Sequence, residues 1–548
     1  MGALKLRQKL LGIIVFLLLM SLVGGGCVIS PPTKATSPGP SEKPCPSFQP
    51  PSRLFVLENN SLNDAEKVMI QGLQGILSQV GSKENIWIDF PKGYKIWLGE
   101  LKDYGVTLDY GYQNDPWGLV DYFKSFLNNK GYVLYELGKD SENVATTLAG
   151  LYKILPLDLS LEEEAKEHGL KECCDVRGKD EKWCFRLFWP ELNHQVVCLL
   201  KEDIHDSLRD FAIASKAFVF QDGKSRFMRQ VFHAMDEGGV VLGWGTCEES
   251  EFVAPASQYD LMVVAADHAH NLSVLSKFKP GEIRQKNHVL APTTGEKVHY
   301  VAFIMSDGDN VQWLLNDFAT DERWYGSPLR GQFPMGWTIS PSLIDLAPTV
   351  MRWLYEHATE NDFFISGVSG RGYFYPSNFP DLEEEATRLN KYLGEADLNL
   401  VCLLDIEYKG FCRENLEPYA SQPNIIGGFW LWYDDYAGRK GDIIFVNGKP
   451  FVSARFKLWG GKEGCEPESV AAAINSLPAD PHSIQGYSAV TVHPWTMGLD
   501  EVKEVIERLD PNVRVVGPGE FIRLVKQNLS DNLFWIFALN DEVVFLHP

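Results

Sequence analysis

Eight apolar, β-rich runs recur through the second half of the chain: Val298 to Met305, Phe333 to Ile339, Phe363 to Val368, Leu398 to Leu404, Ile425 to Leu431, Ala454 to Trp459, Ser488 to Val492 and Val513 to Val516. Segments with a helical period, Leu343 to Glu356, Leu382 to Leu393, Glu468 to Leu477 and Leu499 to Leu509, fall between several of them. Strands that alternate with helices pair in parallel and bury both faces. Residues 297–530 are therefore expected to form a (β/α)8-like barrel, with an open doubly wound sheet as the competing packing. Asp442 to Ser453, with Asn447-Gly448 between two β-rich runs, reads as a hairpin inserted after the fifth strand and placed to roof the site.

At 548 residues, 45% of them hydrophobic, the chain is long enough for two cores. Residues 53–290 read as a separate N-terminal α/β domain. Its strand candidates are Leu54 to Leu57, Ile86 to Asp89, Tyr132 to Tyr135, Ala217 to Phe220 and Leu261 to Val264. Its helix candidates are Asn63 to Val80, Ser141 to Leu155, Ser160 to Glu167 and Ser225 to Glu237. Ala291 to Glu296, with Pro292 and Gly295, is the expected boundary, and residues 531–548 are expected to be a terminal strand or tail.

Before the domains, Lys5, Arg7 and Lys9 precede the apolar run Leu10 to Met20, and Gly24-Gly25-Gly26-Cys27 follows it. This is an export signal whose small residues before Cys27 resemble a bacterial lipobox, with Cys27 as the lipidated residue; plain secretion and an uncleaved anchor are the alternatives. Residues 28–52 are rich in Pro, Ser and Thr and read as a tether. Any contact with a membrane is expected through this N-terminal anchor alone, on a cell-surface or secreted protein. Of ten cysteines, Cys173, Cys174, Cys184 and Cys198 are candidates for disulfides in an exported protein, with no connectivity fixed. The paired short spacings of a zinc ribbon are missing, and no metal or cofactor is expected. Asp and Glu exceed Lys and Arg by 73 to 51, a net charge of −22 that argues against nucleic acid as a partner.

A barrel's chemistry sits at the carboxyl ends of its strands, so the polar residues after each run are the ones to inspect. The first strand is followed by Ser306-Asp307-Gly308-Asp309-Asn310, the second by Ser340, and the fourth by Asp405 and Glu407. The fifth gives Trp430, Trp432, Asp434 and Asp435; the sixth gives Lys457 and Trp459; the seventh gives His493-Pro494-Trp495. Carboxylates and rings on one rim suit a carbohydrate pocket, in which acid and base flank a glycosidic bond while aromatic faces hold the sugar. Each element has a plainer reading too. Asp309 or Asn310 suits a helix N-cap, Asp434-Asp435 a solvated turn, Trp430 and Trp432 outer packing, and His493 a hydrogen-bonded structural residue.

After the third strand comes GRGYFYP, Gly370 to Pro376. Backbone freedom at Gly370 and Gly372 beside the rings of Tyr373 and Tyr375, stopped by Pro376, suits a loop that lays aromatic surface against a ligand. This stretch fits the motif GxGYxYP, and FIMSDGDNVQW at Phe303 to Trp313 resembles the second distinctive segment of the family named for that motif, a family assigned to the glycoside hydrolases. Leu73-Gln74-Gly75 and Asn271-Leu272-Ser273 resemble its N-terminal region. The resemblance covers residues 53 to about 530 and implies an exported protein with a carbohydrate-directed barrel.

Among the carboxylates, Asp307 and Glu407 form the first candidate catalytic pair, with Asp309 and Asp405 in reserve. Tyr373, Tyr375, Trp430, Trp432, Asp434, His493 and Trp495 are the candidate sugar contacts. Two other functions fit the same residues. One is a surface glycan-binding protein without chemistry. The other is a metal-dependent polysaccharide deacetylase, whose HxxxH pair does not occur in residues 297–548.

Overall fold

The computed structural model describes residues 49–221, 225–286 and 296–537. The expected export signal with Cys27, nearly all of the tether, residues 291–295 of the boundary and residues 538–548 lie outside the described residues. Residues 531–537 continue the helix Pro518–Phe537 instead of opening a terminal strand.

The N-terminal region consists of three small parallel sheets. β1 (Arg53–Glu58), β2 (Glu84–Asp89) and β3 (Thr107–Asp109) form the first, in the order β2-β1-β3. β4 (Gly131–Tyr135), β5 (Leu155–Asp158) and β6 (Lys171–Asp175) form the second, in the order β5-β4-β6. β7 (Val196–Leu199), β8 (Phe218–Phe220), β9 (Val240–Gly243) and β10 (Met262–Val264) form the third, ordered β10-β9-β7-β8. Helix Asp64–Val80 starts where the sequence predicts, because Asn63 and Glu66 close a reciprocal capping box. The family-like segments meet as a buried latch between first and third sheets: the Gln74 amide donates to Asn271 Oδ1 at 2.8 Å, and Asn271 Nδ2 donates to the Ile88 carbonyl at 2.9 Å.

The second half forms one curled ten-stranded sheet. Its strands are β11 (His299–Met305), β12 (Met335–Ile339), β13 (Asp362–Val368), β14 (Leu400–Asp405), β15 (Gly427–Trp432), β16 (Ile443–Val446), β17 (Lys449–Ser453), β18 (Phe456–Leu458), β19 (Tyr487–Val492) and β20 (Val513–Val515). The order is β16-β17-β15-β14-β13-β12-β11-β19-β18, with β20 beside β11. Every expected strand is present, yet they are not eight equal β/α units. The Asn447-Gly448 hairpin forms, with both residues at positive φ, but its second arm β17 pairs in parallel with β15 and so belongs to the sheet, not to a roof. β17 and β18 are halves of one bent run. The Ala454 N–H donates to the Trp430 carbonyl at 3.0 Å and the Arg455 N–H to the Ala489 carbonyl at 2.9 Å, which hands the chain from β15 to β19.

Alternation along the strands sorts the side chains into two buried sets. Ala302, Ile304, Cys402, Leu404, Phe429 and Leu431 cluster with Phe521 of the last helix, whose ring lies 6.0 Å from Phe429. Val301, Phe303, Leu403 and Trp430 fall in the other cluster, with the flanking helices. Cys174, Cys184 and Cys198 are free thiols, the last two buried, so no disulfide forms within the expected group Cys173 to Cys198.

Candidate active site

The loop after β11 is shaped by a close approach. A Cβ on Gly308 would lie 1.7 Å from the Thr338 carbonyl oxygen, so no other residue fits. Thr338 Oγ1 accepts the Gly308 N–H at 2.9 Å and donates to the Met305 carbonyl at 2.7 Å, clamping the turn to β12. Asp307 is held at φ 67°, a left-handed conformation that costs a non-glycine residue about 1 kcal/mol or more and that clusters at functional sites. Its carboxylate accepts hydrogen bonds from Ser306 Oγ and, at 3.3 Å, from Trp495 Nε1. Asn310 is the cap of the helix Val311–Leu315, accepting the Trp313 N–H at 3.1 Å. That leaves Asp309 uncommitted. Burial, with Asp307 and Glu249 as like charges nearby, raises the Asp309 carboxyl well above the usual range.

The GRGYFYP loop does something else. Tyr373 and Tyr375 are buried, at 2% and 0% exposure, so neither is an open platform for a sugar. Gly370 and Gly372 do not adopt positive φ; they are small because a Cβ on Gly370 would meet the Phe374 ring at 2.4 Å and one on Gly372 the Val263 carbonyl at 2.9 Å. The loop pairs with β10, the edge strand of the third N-terminal sheet: the Tyr373 N–H donates to the Val263 carbonyl at 2.7 Å and the Val263 N–H returns to Tyr373 at 2.8 Å. Arg371, buried, forms a two-pronged ion pair with Glu385 at 2.9 and 2.6 Å. Pro376 opens the short turn Pro376–Asn378.

This docking carries a third carboxylate into place. Glu249 begins the helix Glu249–Gln258 of the third sheet, and the Tyr373 hydroxyl donates to its Oε1. Burial is the main reason its carboxyl is pushed up to about 7, with Asp307 and Glu248 adding like charge against the lowering effect of Tyr373. Asp307, Asp309 and Glu249 thus feel one another's charge across the joint between an N-terminal and the C-terminal sheet.

Comparison with known proteins agrees with this architecture. Residues 297–526 match the GxGYxYP putative glycoside hydrolase C-terminal domain, and residues 53–125, 129–192 and 194–277 match the first, second and third N-terminal domains of that family. A crystal structure of a putative hydrolase from Bacteroides thetaiotaomicron is similar with a TM-score of 0.83 at 33% identity, covering 88% of this chain and 96% of that one. The chain belongs to the GxGYxYP family. No curated protein matches it significantly.

The other expected site residues of this GxGYxYP protein divide sharply. Trp495 is 42% exposed and stands over Asp307, its ring 5.3 Å from Trp313. His493 stacks on Trp459 at 3.5 Å with Nδ1 3.1 Å from Thr496 Oγ1; burial lowers its basicity although Asp307 lies near. Lys462 lies 4.2 Å and Lys457 5.8 Å from the centre of the Trp459 ring, and Tyr436 meets that ring edge to face. Five other expected residues take different places. Asp405 is fully buried and accepts from Ser377 Oγ at 2.6 Å and Ser377 N at 3.2 Å, so it anchors the turn after the motif. Glu407 is exposed, and its carboxylate has no hydrogen bond or ion pair among the described residues. Trp430 is buried against Phe411, and Trp432 packs on Tyr408 while donating to the Ile406 carbonyl at 3.2 Å. Asp434 is exposed beside Asp435, which pairs with Lys457 at 2.6 Å.

Glu249 is the residue that sequence reasoning passes over. The signal was available. Glu248 and Glu249 follow β9 by a short loop, so the strand-end rule applied to Asp307 selects them as well once it is extended to the third sheet.

Proposed function

We propose that this chain hydrolyses glycosidic bonds at the joint between the third N-terminal sheet and the curled sheet, with Glu249 as general acid and Asp307 as its partner carboxylate. The observation that carries the reading is the split environment of three grouped carboxyls: Glu249 keeps its proton up to about pH 7, while Asp307 accepts two hydrogen bonds that stabilise negative charge. In the reaction Glu249 protonates the leaving oxygen as the C–O bond breaks. Asp307 then either attacks the anomeric carbon or takes a proton from the attacking water, and one water is consumed in all. Burial and the like charges of Asp307 and Glu249 favour the neutral form of Asp309 in the same group. Trp495 and the stacked His493 and Trp459 supply the aromatic wall for a sugar ring. The export signal and Cys27 support a cell-surface location facing extracellular glycans.

The test is product analysis on a glycan panel, run with Glu249→Gln. On an unactivated linkage the variant should lose about 10³-fold in turnover, and on an aryl glycoside with a good leaving group, which needs no acid, much less. Turnover of the wild type should fall as pH rises through about 7, because the acid loses its proton there. Undiminished cleavage of an unactivated glycan by Glu249→Gln would remove the assignment, and binding without products would leave a glycan-binding protein instead.

A further inference from the structure

We propose that Tyr373 and Tyr375 are positioning residues for Glu249, a two-hydroxyl relay that fixes the rotation of its carboxyl group across the joint between the two halves. The inference rests on the reading of Glu249 as the acid. It begins from proton counting. A tyrosine hydroxyl has one proton to donate, and that of Tyr373 goes to Glu249 Oε1. While Glu249 Oε1 accepts, the 3.2 Å contact between the Tyr373 and Tyr375 hydroxyls has Tyr375 as its donor. The relay therefore runs from Tyr375 through Tyr373 to Glu249 with a single polarity. Both rings are buried and meet edge to face at 5.4 Å, so neither hydroxyl is free to turn toward solvent.

The backbone of the same segment grips the other end of the helix that carries Glu249. The Tyr375 N–H donates to Ser257 Oγ at 3.1 Å, and Ser257 Oγ in turn donates to the Val253 carbonyl at 2.7 Å. One three-residue stretch, Tyr373 to Tyr375, thus holds the helix Glu249–Gln258 by its first residue and near its last, while Tyr373 pairs with Val263 on the adjoining edge strand. The chemical consequence concerns which oxygen works. With Oε1 occupied as acceptor, the proton of the neutral carboxyl sits on Oε2, and Oε2 is the atom that delivers it. The other ionisable groups that bear on Glu249 are Glu248 on its own helix, Asp307 and Asp309 after β11, and Tyr433 and Tyr436 after β15.

The experiment uses the full chain with Tyr373→Phe and Tyr375→Phe. The Glu249 carboxyl is titrated by carbon NMR on glutamate-labelled protein, with Glu249→Gln identifying its signal. Loss of a donor to the carboxylate should move the Glu249 midpoint to higher pH by about one unit in Tyr373→Phe and by less in Tyr375→Phe. In turnover, Tyr373→Phe should lower kcat about tenfold with KM nearly unchanged, and its alkaline limb should move up with the midpoint. A packing role alone would leave both midpoint and limb in place, and that result in a folded Tyr373→Phe overturns the relay. Should Tyr373→Phe fail to fold, Tyr375→Phe carries the test, and an unmoved midpoint there overturns it equally. The titration needs no substrate, so it is independent of the hydrolase reading, which falls if no glycan is cleaved, and of the acid assignment, which falls if Glu249→Gln cleaves as fast as wild type.

Discussion

Two loops leave the carboxyl ends of parallel strands in the same curled sheet and end in opposite circumstances. Ser306 to Asn310, after β11, keeps Asp307 and Asp309 half-buried, one of them on a strained backbone and the other without an ion pair among the described residues. Ser369 to Pro376, after β13, is buried throughout and spends its polar atoms on docking. The acidic loop is short, charged and unfinished; the glycine-tyrosine loop is conspicuous and complete. The difference teaches that a run of glycines and rings marks a place where two surfaces come close, and that close approach serves assembly as readily as it serves a ligand. Here the assembled surface is what brings Glu249 to the two aspartates.

This contrast is open to attack from both sides. The largest effect is expected at Asp307→Asn, which should reduce turnover about 10³-fold while leaving the melting temperature within a few degrees of wild type. Equal activity in that variant would move the chemistry away from the acidic loop. Next comes Gly372→Ala, whose added methyl meets the Val263 carbonyl at 2.9 Å. It should destabilise the fold by about 1–3 kcal/mol in a denaturant titration, and activity should fall with it as the docking loosens. A variant as stable as wild type would mean that the loop does not bear the joint. Smallest of all, Glu407→Gln should change turnover by less than about twofold, since its carboxylate faces solvent. A large loss there would restore Glu407 as a member of the site.

Much of the fold was legible because parallel strands buried on both faces read as apolar runs, and all eight from Val298 to Val516 correspond to strands. The helical period of Asn63 to Val80 announced its helix, and Asn447-Gly448 its turn. The bend at Ala454 and Arg455 was not legible, because a strand that changes partners keeps the same side-chain pattern on both sides of the change. In the site, Asp307 and Asp309 followed from their place after a strand. Asp405 did not deserve the same weight: it shares the alternation of Val401 and Leu403, which face the helices, whereas Cys402 and Leu404 face inward. Tyr373 and Tyr375 were misjudged as open rings because exposure depends on the distant segments Ser257 and Val263, which no local pattern reveals.

The strand that bears Asp307 has an unusual order of completion. β11 meets β12 only at Ile304 and Met305, while Tyr300 to Met305 pair with Tyr487 to Val492 and its first residues with Val513 to Val515. A chain emerging from the ribosome can finish each small N-terminal sheet from segments close in sequence, but must hold β11 half-paired until almost all of its length has been made. The strand beneath the acidic loop is therefore among the last parts of the molecule to be completed, and a prematurely ended chain would carry Asp307 and Asp309 on a strand paired only at Ile304 and Met305.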